Sequence, residues 1–281
     1  MNPPVDHHAR IPASLRPLSR FAGRWARRAQ HAIRNAGVRV HPRPVFVLGN
    51  QKSGTSAIAA LLGRACGLSV SIDMLLEIER PHFQQVHAGT LSFERYVQLN
   101  RWEFSHEIVK EPNLTLLHPW LVEAFPESPI VFVLRDPRDH IRSLLNNIDI
   151  PGDLAELGPA LRARLNPTWR LVLDGRWLGI EGDHYIEQLA GRWARCARIY
   201  LDQPDGMRLV RYEAFQADKQ GEIRRLASAL GIPVVRDIDD ALDRPFQRPG
   251  DRGADWTRFF GENLSRIPAV CGEEMRALGY L

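Results

Sequence analysis

Apolar and polar positions along the chain alternate between two periods. Pro44-Val-Phe-Val-Leu48 and Ile130-Val-Phe-Val-Leu134 are short, continuous apolar runs rich in β-branched residues, the pattern of strands buried on both faces. Weaker strand-like stretches lie before Asp73, at Glu107-Ile-Val-Lys110 and at Leu209-Val-Arg211. Strong helix formers follow the first run (Ala57-Ile-Ala-Ala-Leu-Leu62), and Pro137 opens a helix after the second. From Tyr185 to Leu201 the apolar residues Ile186, Leu189, Trp193, Ala197 and Tyr200 recur at helical spacing. Strands alternating with helices predict an α/β fold in three layers, a mainly parallel sheet with helices on both faces. Ligands of such folds bind across the carboxyl ends of the strands.

The stretch 149–182 breaks this rhythm. Pro151-Gly152, Asn166-Pro167, Asp174-Gly175 and Gly179 interrupt it, and Trp169 and Trp177 are interleaved with leucines. An aromatic-bearing insertion of that length suits a cover over a substrate site, and packed core is an equal reading of both tryptophans.

Charge divides the chain again. Residues 1–43 hold nine arginines and one acid, Asp6, a balance of +8; the net charge is +4, so the remainder carries −4. Residues 1–43 are read as a basic arm, partly helical, with Leu18, Phe21, Trp25, Ala29 and Ile33 near one face. Such an arm suits an anionic membrane surface or an acidic partner, and equally a terminal helix packed on the domain. Residues 44–281 are read as one domain. The acidic body and the lack of a base-stacking motif speak against nucleic acid. Cys66, Cys196 and Cys271 show no paired or metal-ligand spacing, and no apolar run approaches the roughly 20 residues of a membrane span. The expectation is a cytoplasmic protein, peripheral at a membrane at most.

Candidate chemistry begins at Gly49-Asn-Gln51-Lys52-Ser53-Gly54-Thr55-Ser56. A strand that feeds a glycine-containing turn into a helix N-terminus offers free backbone N–H groups and a positive dipole end to an anion. The chain has only three lysines, Lys52, Lys110 and Lys219, among 37 basic residues, and one of them sits in this loop. Walker A loops place lysine after the last glycine; here Lys52 precedes Gly54 by two residues, so an ordinary P-loop NTPase is not the match. Arg135 ends the second apolar run and Ser143 lies two turns into the next helix, a fork and a hydroxyl suited to one phosphate monoester. Lys110 ends a short strand beside Glu111-Pro112, where it either pairs with a neighbouring glutamate or faces a ligand.

Taken in order, Gln51-Lys-Ser-Gly-Thr-Ser56, Lys110-Glu-Pro-Asn-Leu114 and Arg135-Asp-Pro-Arg-Asp-x-x-x-Ser143 resemble the sulfotransferases that use 3′-phosphoadenosine 5′-phosphosulfate (PAPS). That resemblance implies a P-loop-NTPase-like sulfotransferase fold. It implies that Gln51, Lys52, Ser53, Gly54, Thr55 and Ser56 grip the 5′-phosphosulfate, that Arg135 and Ser143 grip the 3′-phosphate, and that Lys110 contacts the sulfonate or acceptor. Leu209-Val-Arg-Tyr212-Glu213 is similar to the segment whose tyrosine lies near adenine. Arg248-Pro-Gly250-Asp-Arg-Gly253-Ala-Asp-Trp256 is similar to the segment that closes over the 3′-phosphate through residues such as Arg248 and Gly250, with Ala254 inserted.

Other features depart from the cytosolic branch. Ala57 replaces the aromatic that stacks on adenine there, and Lys110-Glu-Pro-Asn113 lacks that branch's histidine base. The chain is closer to the bacterial, carbohydrate and tyrosylprotein branches, which use a carboxylate soon after the first helix. Asp73, Glu77 and Glu79 are the candidates, with His82 next in line. Asp73 lies near the tyrosylprotein-type position, and Glu79-x-x-His82-Phe83 is similar to the heparan-type sequence.

Sulfuryl transfer asks for positioning and for neutralising the leaving oxygen, which Lys52 and the loop N–H groups supply without a metal. The expected reaction moves the sulfuryl group to a hydroxyl of a small molecule, glycan, lipid or peptide, leaving 3′-phosphoadenosine 5′-phosphate (PAP). The alternatives are a nucleotide kinase or NTPase with an unconventional loop, and a non-catalytic nucleotide-binding protein.

Overall fold

The computed structural model describes residues 29–242 and 255–281. Five strands form one sheet: β1 (Val45–Gly49), β2 (Val70–Ile72), β3 (Ile108–Lys110), β4 (Ile130–Leu134) and β5 (Met207–Arg211). Their order is β2-β3-β1-β4-β5, and every pairing is parallel. The register sets Val47 opposite Lys110 on one side of β1 and Val131 on the other.

All five residues of β1 and of β4 are buried. Successive side chains of a strand point to opposite faces, so each apolar run feeds two cores. Val45 and Val47 of β1, with Val131 and Val133 of β4, face a smaller cluster. There they meet α1 (Thr55–Cys66) through Ile58, Leu61 and Leu62. Phe46, Leu48, Phe132 and Leu134 face the larger cluster. This second face is covered by α3 (Pro137–Asn147) and α5 (Tyr185–Asp202), and by α7 (Arg266–Ala277). Between these come α2 (Leu75–Glu79), α4 (Pro167–Leu173) and, on the smaller face, α6 (Lys219–Ala229).

The two strong apolar runs and the helix from Tyr185 fall where the hydrophobic pattern predicts them, with β1 running on to Gly49 and α5 to Asp202. Residues 75–106 fold into four short helices separated by turns, which no single period in the sequence announces. Residues 149–182 contain two one-to-two-turn helices and a 3-10 turn rather than an open loop. Of the basic arm, positions 29–35 are helical. His31 pairs with Glu103 at 3.3 Å, and the Asn35 side chain donates to the Leu99 carbonyl. The amphipathic face proposed for residues 18–25 lies outside the described residues, and Ile33, assigned to that face, is 74% exposed.

The helix after β1 packs on one face of the sheet and the helix after β4 on the other. These neighbouring strands therefore part at their carboxyl ends, the topological switch point at which α/β folds open a crevice. The turn at the end of β1 depends on Gly49. Its φ is +131°, and a Cβ there would come within 2.4 Å of the Val133 carbonyl oxygen on β4. Backbone cannot step aside as a side chain can. Gly49→Ala is expected to destabilise the fold by roughly 2–4 kcal/mol, read as a lower urea midpoint at unchanged slope.

Candidate active site

Each strand ends in a residue that the sequence had marked. Gly49 leads into the 50–54 loop, Ile72 into Asp73, β3 ends on Lys110, Leu134 leads into Arg135, and Arg211 into Tyr212. The loop enters α1 through Gly54, whose φ of +92° is the left-handed cap conformation, and no side chain caps that helix. Its first turn contains no acid, so no carboxylate of its own opposes an anion at the positive dipole end. Gly54 is also fixed by contact: a Cβ would lie 2.4 Å from the Tyr212 ring. The Arg135 guanidinium lies over the other part of this junction, 4.3 Å from the Tyr212 ring centre, and its Nη1 donates to the Lys52 carbonyl at 2.8 Å. Trp193 of α5 donates from Nε1 to the Arg135 carbonyl at 2.9 Å, which fixes the end of β4 from behind.

Three non-glycine residues among those described have positive φ: Lys52 (66°), Asp73 (58°) and Asp149 (53°). Side chains with a Cβ avoid this region, and residues held there cost of order 1 kcal/mol or more each. Two of the three, Lys52 and Asp73, line the same cavity of about 260 Å³. Gln51, Glu77, Lys110, Glu111 and Asn113 line it too. Asp73 is fixed by an N–H bond to the Lys110 carbonyl at 3.0 Å and by a short ion pair between its carboxylate and the Lys110 ammonium. The Lys52 ammonium donates to Asn147 Oδ1 at 3.2 Å, from the last turn of α3. Burial holds the Lys52 pKa below the usual lysine value. Repulsion from Arg135 and Lys110 adds to this, and Asp73 opposes it.

The remaining acids differ. Glu77 is 1% exposed, and accepts from His82 Nδ1 and from the Phe83 N–H, both at 3.0 Å; burial raises its pKa. Glu79 closes α2 and does not reach the cavity lining. Glu111, which the sequence reading treated only as a partner for Lys110, lines the cavity as a buried carboxylate. It accepts from the Met74 N–H at 3.0 Å and from the Asn113 N–H and side-chain amide at 2.9 Å. Burial, with repulsion from Asp73, pushes its pKa up to about 7.

The far wall comes from the irregular stretch. Asn166, Thr168, Trp169 and Val172 line the cavity, and the Thr168 hydroxyl donates to the Glu77 carbonyl. Trp177 instead packs against Phe83 and His87. Ser143 lies on α3, beyond Arg135, and is half-buried. Arg248 and Gly250 lie outside the described residues. Trp169 takes the cover reading, whereas Asn113 and Asn147 had no expected role. Asn113 follows the Lys-Glu-Pro run, which is its one local signal; Asn147 reaches the cavity only through the tertiary fold. Among the described residues, no cluster of three His, Cys, Asp or Glu side chains is arranged to hold a metal ion. No described helix is long and apolar enough to cross a membrane.

The chain is similar in sequence to known proteins. The sequence profile of the Sulfotransferase family fits residues 71–237, more than half of the chain. The protein belongs to that family. The matched span contains Asp73, Lys110, Arg135, Ser143 and Tyr212 and begins downstream of the Lys52 loop. The chain is 22% identical over 289 residues to cytosolic sulfotransferase 17 of Arabidopsis thaliana, a match covering 86% of this chain and 77% of the plant protein. Its structure is similar to a sulfotransferase from Alicyclobacillus acidocaldarius (TM-score 0.47, 17% identity, 83% of this chain and 97% of that one). It is also similar to one from Mycobacterium avium (TM-score 0.48, 14% identity, 90% and 80%).

Beneath the loop, against the Gln51 backbone, lies the fully buried His140. Burial lowers its pKa to about 3, and Arg135 and Arg192 repel its charged form. The unfolded chain takes up this proton below about pH 6.5 while the folded protein does not, so stability falls as pH drops from 6.5 toward 3. Replacement by leucine removes that dependence. Urea denaturation at pH 7 and pH 5 should show wild type losing about 2 kcal/mol more than His140→Leu over the interval.

Proposed function

We propose that this sulfotransferase takes its sulfuryl group from PAPS and passes it to a hydroxyl in the 260 Å³ cavity. The observation that carries the reading is the convergence of Lys52, Lys110 and Asp73 in one cavity, two of them on strained backbone, beside an uncapped helix N-terminus. The residues fit the donor's chemistry. The N–H groups of Gly54, Thr55 and Ser56, with the Thr55 and Ser56 hydroxyls, would hold its 5′-phosphate, and Arg135 with Ser143 its 3′-phosphate. Tyr212 lies where its ring can flank the nucleoside.

Asp73 is the base best placed for the acceptor. Its side chain is 43% exposed beside both lysines, whereas both Glu77 oxygens are engaged and nearly inaccessible. In the transfer, Asp73 takes the acceptor proton as the acceptor oxygen bonds to sulfur. The bond from sulfur to the 5′-phosphate oxygen breaks, and Lys52 donates to that oxygen as PAP leaves. Lys110 neutralises the sulfonate in flight. Burial lowers the Lys52 pKa, and the hydrogen bond to Asn147 holds the side chain when no leaving oxygen is present.

Lining by Trp169, Met74, Ile78, Val172 and Pro112 suits a small acceptor, or the terminal unit of a larger one, with an apolar face. A cytoplasmic setting accords with three buried free cysteines. Contact of the basic arm with an anionic membrane or acidic partner belongs to this proposal as well.

Calorimetric titration tests the donor. PAP should bind without metal, at least tenfold more tightly than ADP, and in preference to ATP–Mg²⁺. Arg135→Ala should erase the advantage of PAP over ADP; a preference for ATP–Mg²⁺ would instead mean a kinase. The base is tested by transfer rates from PAPS across an acceptor panel. Asp73→Asn should lower kcat at least 10²-fold with little change in PAP affinity. Wild-type rates in that variant would move the role to Glu77.

A further inference from the structure

Arg192 stands on α5 among core residues, 1% exposed, between Leu189, Trp193 and Cys196. It forms no ion pair with a described carboxylate, and its Nε and Nη1 meet no hydrogen-bond partner among the described residues. A buried guanidinium so poorly matched is a heavy penalty for the fold, where an apolar side chain of similar length would carry none. Natural sequences break such rules chiefly where the residue has a task.

Its remaining nitrogen points to the task. Nη2 donates to Asn113 Oδ1 at 2.9 Å and reaches Gln51 Oε1 at 3.5 Å. Gln51 Nε2 donates to the same Asn113 oxygen at 2.8 Å. The other end of the Asn113 amide donates to Glu111 Oε1, whose second oxygen takes the Met74 N–H. Asp73, one residue earlier, is tied to Lys110. One chain of hydrogen bonds therefore runs from the loop bearing Lys52, through Asn113 and Glu111, to the segment bearing Asp73. Asn113 alone could link Gln51 to Glu111. With Arg192 behind it, the amide oxygen is polarised by a full charge, and the buried Glu111 carboxylate faces a cation across the amide.

We propose that Arg192 is a positioning residue that couples the donor loop to the acceptor side through the Asn113 amide bridge. Donor contact at Gln51 is then transmitted along this chain to the Asp73–Met74 segment, so that donor binding further steadies the base. This inference rests on the donor-site reading above.

Hydrogen exchange of the full chain, with PAP as the probe, tests the coupling. In wild type, PAP should slow exchange both in residues 49–56 and in 72–77. In Arg192→Met, PAP should bind roughly tenfold more weakly, and at saturation it should still protect 49–56 but no longer 72–77. Arg192→Lys, which keeps the charge, should restore part of that protection. Cys196→Ala, one turn along the same buried face, should lower stability without uncoupling the two segments. Should Arg192→Met fail to fold, Asn113→Ala breaks the same chain and should uncouple them equally. Failure of PAP to bind wild type would remove the donor-site reading itself. Binding that protects only 49–56 in wild type, or protects 72–77 equally in the Met variant, would overturn the role of Arg192.

Discussion

The divergence of the chain after β1 and β4 is the constraint on which the site depends. Two neighbouring parallel strands can send their next helices to opposite faces only by opening a gap between their carboxyl ends. Gly49 makes the first departure possible, since any Cβ would strike the β4 backbone. Pro137, at the first turn of α3 under an Asp136 cap, makes the second. Everything that follows is set by that gap. The Lys52 loop lies on one lip and Arg135 on the other, joined by the bond from the Arg135 guanidinium to the Lys52 carbonyl. The outer strands then bring Asp73 and Lys110 to the same level, because parallel register leaves all carboxyl ends on one edge.

That edge was legible in the sequence for a physical reason. Central parallel strands must be apolar without alternation, so β1 and β4 announce themselves, and a functional residue following such a run falls at the crevice. Lys52 and Arg135 are found this way; Lys110, closing one three-residue strand, and Asp73, just after another, are marked more weakly by pattern, and the resemblance implies their roles. The choice among Asp73, Glu77 and Glu79 was not legible. It depends on which carboxylate is left accessible after α2 forms, and the five-residue helix buries Glu77 against His82 and turns Glu79 away. Asn147 and Arg192 were invisible for the same kind of reason, and Asn113 carried only the local signal of the Lys-Glu-Pro run. Their partners lie 62 to 141 residues distant in the chain, and no local period records such a pairing.

The irregular stretch 149–182 shows where composition misleads and informs at once. Its turn residues mark it as irregular, and within it Pro159 and Pro167 each open a short helix, a position that proline favours although it breaks helix interiors. The tryptophans divide the two readings between them. Trp169 faces the cavity, while Trp177 packs into the core against Phe83. An α4 held to α2 by the Thr168–Glu77 bond makes this cavity wall part of the same unit as the carboxylates.

The choice of cation across the site follows the demand at each position. Arg135 and Arg192 serve fixed geometry: one lies over the Tyr212 ring and reaches a carbonyl, the other binds an amide from within the core. A planar, permanently charged fork suits both tasks. In the proposed transfer, Lys52 and Lys110 occupy the two places where charge shifts, and a compact ammonium on a flexible stem can follow it. Burial and neighbouring cations destabilise the charged form of Lys52. An ammonium held under that pressure gains more from a newly negative oxygen than one already at ease in water, which makes its hydrogen bond strongest late in the transfer rather than in the resting site. The strain at Lys52 and Asp73 points the same way. Both residues are held, at some cost in folding energy, in positions that their own backbone preferences would not choose.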